Sequence, residues 1–163
     1  MRNRLSVFLL LCSSLIIVSI AYASDASFKE QIKDFKKEAR ITSPSDKGNG
    51  PGFPLQVKGN ASDVPDGHHL WVVVHPVKSS GYWPQGGELY PSPRDNSWEV
   101  TTYLGEEKKG FGEKFEIILS IANENAHKEF VQYLADGPSK GYPEKPLPSG
   151  VIQIDRITYT RTE

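Results

Sequence analysis

Three of the four histidines of this chain lie in one stretch, "HHLWVVVHP" at residues 68–76, with Trp71 among them. Imidazoles at such density raise two kinds of chemistry, metal ligation and proton transfer. The stretch is also rich in β-branched residues, which favours a strand. In a strand, side chains alternate between faces and the chain rises roughly 3.3 Å per residue. His69, Trp71, Val73 and His75 then share one face, and His68, Leu70, Val72 and Val74 share the other. His69 and His75 are roughly 20 Å apart at Cα by that rise, too far for one zinc ion with its bonds of about 2.0–2.1 Å. A metal would need a ligand from elsewhere, such as His127, and no spacing motif joins His127 to this stretch. The expectation is a buried strand, with no metal site and no cofactor.

Other chemistry is equally sparse. Nucleophilic catalysis needs an activated Ser, Cys or Thr beside a base. Ser79, Ser80 and Ser149 stand in turn-like contexts, and no G-x-S-x-G elbow occurs. Paired carboxylates could hydrolyse a glycosidic bond. The candidates Glu88, Asp95, Glu99, Glu106, Glu107 and Glu113 read as turn residues or as the solvent face of a strand. "GEEKKGFGEKF" (105–115) has glycines but leads into a strand, whereas a phosphate loop leads into a helix N-terminus.

Two binding possibilities remain. Asn60, Asp63 and Asp66 in "GNASDVPDGHH" offer oxygen atoms to a hard cation such as calcium, although the same residues are ordinary turn formers. Tyr82 and Trp83, between Gly81 and Pro84, together with Tyr90 and Tyr142, are aromatics in loop-like contexts. Their flat faces suit sugar rings or peptides, unless they fold back onto the core.

The elements that must position these residues are short. "SFKEQIKDFKKEA" sets Phe28, Ile32, Phe35 and Ala39 on one helical face, and Ser27 with Glu30 forms a capping box. "ITSPSDKGNGPGFP" (41–54) reads as loop or linker. Strands are expected in "PLQVKG", "HLWVVVHP", "GELY", "SWEVTTYL", "KFEIILSIA" and "GVIQIDRITYT", the last with a bulge near Asp155 and Arg156. In "SWEVTTYL", Trp98, Val100, Thr102 and Leu104 form the inward face. One helix interrupts the series over about residues 124–135, capped by Asn123 or Asn125, with Ala126, Phe130 and Leu134 inward, Val131 widening the stripe and Gly137 as a stop. A proline-rich connection, 137–150, leads to the last strand.

The first 23 residues have the form of an export signal: Arg2 and Arg4, an apolar run from Leu5 to Ile20, and Ala21-Tyr22-Ala23 before the cut. Cleavage after Ala23 leaves Ser24–Glu163, removes the only cysteine, Cys12, and takes the formal charge from −1 to −3. Such a chain carries no disulfide and is not basic enough for a nucleic-acid footprint. It meets a membrane only through the signal before cleavage. The expected product is secreted or periplasmic, with a short helix at 24–40 and one domain at 41–163.

Ile41, Ser43, Pro44, Val57, Gly59, Trp71 and Trp98 stand in an order that resembles the Ig-like β-sandwich modules of exported bacterial and archaeal proteins. The resemblance implies an antiparallel β-sandwich of six or seven strands, here with one inserted helix that a plain Ig domain lacks. It also implies a non-catalytic binding or structural module, whose partner would be a polysaccharide or an envelope protein. It transfers no functional residues. Two rivals are a small envelope hydrolase using a polar pair such as His69 or Glu88, and an inhibitor or immunity-type protein acting through the Tyr82–Trp83 loop.

Overall fold

A computed structural model describes residues 27–163. The export signal, its cleavage point and Cys12 lie outside the described residues. The chain divides into two compact units, Met1–Asp34 and Phe35–Glu163. The described part of the first, 27–34, is helical, and this helix α1 runs over 27–38. Phe35 and Ala39 are buried and Phe28 and Ile32 half-buried, the face set by their spacing.

The second unit is mainly β. Its strands are β1 (Arg40–Ser43), β2 (Gly48–Pro51), β3 (Leu55–Asn60), β4 (His68–Pro76), β5 (Trp83–Leu89), β6 (Ser97–Thr102), β7 (Lys114–Asn123) and β8 (Val151–Thr162), with helix α2 (Glu124–Lys140) between the last two. They form a three-stranded sheet, β1-β3-β6, and a five-stranded sheet, β2-β8-β7-β4-β5. All pairs are antiparallel except β2 with β8. The sheets approach each other at both edges. Tyr103 N donates to Gln85 Oε1 at 3.0 Å beyond one edge, and Ile41 N donates to Asp155 Oδ2 at 2.7 Å at the other.

β4 is buried on both faces, as its run of valines requires. Leu70, Val72 and Val74 stand opposite Ile121, Leu119 and Ile117 of β7. On the other face Trp71 and Val73 pack with Ala122 and with Ala126 and Phe130 of α2. The helix therefore lies along the outer face of the five-stranded sheet. Asn123 caps it, accepting from Ala126 N at 3.0 Å.

Four expectations need correction. The described residues hold eight strands, not six or seven, because 41–54 supplies most of β1 and all of β2 rather than a linker. Its glycines reflect close approach: a Cβ at Gly50 would lie 2.5 Å from the Tyr159 hydroxyl of β8. α2 passes through Gly137 and Pro138 and ends at Gly141, whose φ of 73° makes the left-handed cap. Gly137 serves packing instead, since a Cβ there would meet the Tyr142 ring at 1.9 Å. Val131 does not widen the buried stripe; it is 47% exposed, and Tyr133 takes the inward position.

The strand in "GELY" begins earlier, at Trp83. Gly86 and Gly87, with φ of 68° and 111°, form a bulge, and the register with β4 breaks between Leu70 and Val72. The expected bulge in β8 is present at Ile154, where Leu119 pairs with Asp155 and Ser120 with Gln153.

Candidate functional site

Leu70 pairs with Leu89. By alternation Glu88 and Tyr90 then flank the face that carries His69 and Trp71. His69 itself pairs with Ala122, one residue before the cap of α2, so the first turn of that helix rises beside it. Register thus brings β4, β5 and α2 together around one imidazole.

His69 is engaged on both nitrogens. Nδ1 lies 2.8 Å from Glu88 Oε1 and Nε2 3.1 Å from Glu124 Oε2. Both bonds require N–H donors, so the arrangement describes an imidazolium between two carboxylates. The Tyr90 hydroxyl donates to Glu88 Oε2 at 2.7 Å, and Lys128 pairs with Glu124 Oε1 at 3.0 Å. The His127 ring stacks on His69 at 3.8 Å between centroids, 19° from parallel, and its Nδ1 accepts from the Trp71 indole at 3.3 Å.

Burial disfavours charge on His69, but its bonds to Glu88 and Glu124 and their charges outweigh this and raise its pKa above 6.5. Burial likewise opposes charge on Glu88, yet the Tyr90 and His69 bonds hold its pKa below 4.5. Lys128 first, then His69, lowers that of Glu124.

The sign for stability follows from these directions. The His69 contribution is complete below about 6.5 and is lost as pH rises through the raised value. The carboxylate contributions are complete above about 4.5 and are lost on acidification. In thermal unfolding with a chelator present, the difference in Tm between the wild type and Glu124→Gln is expected to be widest between these limits. It should narrow on going from about pH 6 to about pH 9. A difference that widens with alkalinity would contradict the doubly bonded imidazolium.

The aromatics divide into two places. Tyr82 is partly buried against the Trp71 cluster and stacks on His75 at 4.5 Å. The half-buried Trp83 donates its indole N–H to Tyr142 O at 3.0 Å. Tyr142, 46% exposed, lays its ring over Gly137. Glu144 ties this region to the β4–β5 turn, accepting from the Ser79 and Ser80 hydroxyls at 3.0 and 2.7 Å. Tyr90 stands apart at 78% exposure and belongs with His69 and Glu88.

Asn60 closes β3 and donates to Asp95 O at 3.4 Å, while Asp66 O faces His68 Nδ1 at 3.1 Å. Among the described residues, the metal-donor side chains that do come together are His69, Glu88 and His127. His69 and His127 meet through the packing of α2 on β4, a link with no spacing signature in the sequence. Glu88, expected among solvated carboxylates, is only 20% exposed and is bonded. Glu124 went unnoticed; its place as the first residue after the Asn123 cap was the available signal.

No protein-family model matches this sequence, and no curated protein matches it.

Proposed function

We propose that this chain is an exported, non-catalytic Ig-like module that binds a polysaccharide at the Tyr90 end of the five-stranded sheet. The Ig-like reading draws support from strand order. β1, β3 and β6 correspond to A, B and E of one Ig sheet, and β5, β4, β7 and β8 to C′, C, F and G of the other. The secretory reading rests on the leading 23 residues.

One observation carries the binding site. Tyr90 is 78% exposed, yet its hydroxyl is held by Glu88, which is itself held by His69. A pre-oriented aromatic face loses little entropy on contact and presents a stacking platform with polar groups at its rim. Tyr82 and Trp83 meet this description less well, because core packing and the Tyr142 carbonyl already engage them. A hydrolase reading gains little from His69: both its nitrogens face carboxylates, Glu88 and Glu124, rather than an open position for a substrate.

The test is retention on insoluble cell-wall and plant polysaccharides. Wild-type protein is expected to be retained, and Tyr90→Ala to bind at least about tenfold more weakly with an unchanged Tm. Release by Tyr82→Ala/Trp83→Ala alone would move the site to the β4–β5 turn. Failure of the wild type to bind any polysaccharide would end the glycan reading.

A further inference from the structure

His69, Glu88 and His127 come from three different elements, yet their donor atoms all lie within 4.8 Å of one another. All three side chains are half-buried, so the position is shielded but reachable. Glu88 is already oriented from behind by the Tyr90 hydroxyl on its second oxygen, the outer support that metal-binding carboxylates commonly have. Glu124 brings a further carboxylate oxygen to 3.1 Å from His69 Nε2.

We propose that His69, Glu88 and His127 form a binding site for a divalent transition metal, with zinc the readiest occupant. Two imidazoles and a carboxylate suit zinc, copper(II) or nickel, and are a poor set for calcium or magnesium, which take oxygen ligands. Two donors on one zinc ion stand at most about 4.2 Å apart, given bonds of about 2.0–2.1 Å. The donor atoms here lie within 4.8 Å of one another, a looser bound than a closed coordination sphere allows. Binding therefore draws the three groups inward, and His127 is the natural mover. Its stack on His69 and its bond from Trp71 are weak contacts, exchanged for a coordinate bond. The proton between His69 and Glu88 leaves to solvent as the ion takes its place. Water completes the coordination, and Glu124 stays on His69 Nε2 as an outer support of the ring. This proposal does not rest on the polysaccharide reading, although the two share Glu88 and its bond from the Tyr90 hydroxyl.

The test begins with purified protein freed of metal by a chelator and titrated with zinc chloride by calorimetry. One ion per chain is expected, with visible absorption of the four-coordinate type when cobalt(II) replaces zinc. Glu88→Gln and His127→Gln should each weaken zinc binding by at least about tenfold, and Tyr90→Phe by about tenfold through loss of its support. His68→Gln/His75→Gln should leave it unchanged. Should a variant fail to fold, zinc-induced shifts of the His69 and His127 ring protons in the wild-type NMR spectrum decide the matter. No stoichiometric binding, equal binding by Glu88→Gln and His127→Gln, or unmoved ring protons would each overturn the site.

Discussion

Arg161→Ala is expected to lower the unfolding free energy by about 3–5 kcal/mol, the range for stripping one partner from a buried charged network. Arg161 sits near the end of β8 and is 2% exposed. Its partners are carbonyl oxygens rather than carboxylates. Nη1 donates to Leu104 O at 2.6 Å, to Lys109 O at 2.7 Å and to Glu106 O, and Nη2 donates to Glu107 O at 2.6 Å. The rings of Phe53 and Phe111 lie 5.5 and 4.8 Å from the guanidinium carbon. The loop "GEEKKGFG" buries little apolar surface of its own, so this fork holds it. Alanine removes this donor from four carbonyls, of which Glu106 O keeps the Lys109 N–H at 3.1 Å. Those at the loop rim regain water, which keeps the loss below the sum of four charged hydrogen bonds. Lysine has no planar fork and should recover only part of the stability. Urea unfolding measures the total, and amide exchange at 105–112 shows whether the loop opens first. A loss under about 1 kcal/mol would mean that the loop holds itself.

The second large effect is expected at Gly59. This residue pairs with Trp98 in β6, and a Cβ there would stand 2.1 Å from Trp98 Cζ2 and 2.2 Å from Arg40 O. The ring could tilt, but the carbonyl belongs to the β1 backbone and moves only with that strand. Gly59→Ala should therefore cost about 3 kcal/mol, the upper end for overpacking. Tryptophan fluorescence should report a displaced Trp98. A paired variant, Gly59→Ala with Trp98→Phe, tests the cause. If the six-membered part of the indole is the obstacle, the double variant loses less than the two single changes together. Strict additivity would place the strain at β1 instead.

Trp98, Val100, Thr102 and Leu104 are buried as their alternation predicts, and the two faces of β4 divide as expected. Such patterns are legible because one residue in two must meet the core. The short β1 and β2 were not legible. The glycines of β2 answer to Tyr159, far along the chain, and composition alone cannot separate that from a linker. The length of α2 was misjudged for a similar reason, since Gly137 makes room for Tyr142. Arg161 looked like an ordinary polar residue in a terminal strand, because the carbonyl cage around it exists only once the loop has closed. The residues of the candidate site were visible and their grouping was not: His69, His127 and Glu88 stand out separately, and Tyr90 reads with aromatics it does not join. A strand bulge and a helix cap unite them, and neither sets a fixed spacing in the sequence.

β8, the last strand, lies inside its sheet, bonded to β7 on one side and to β2 on the other. The second strand made thus waits for nearly the final residue before it can pair. Every other strand but β2 has a partner that precedes β8, so the delay falls on β2 alone, and contacts of such long sequence separation form slowly.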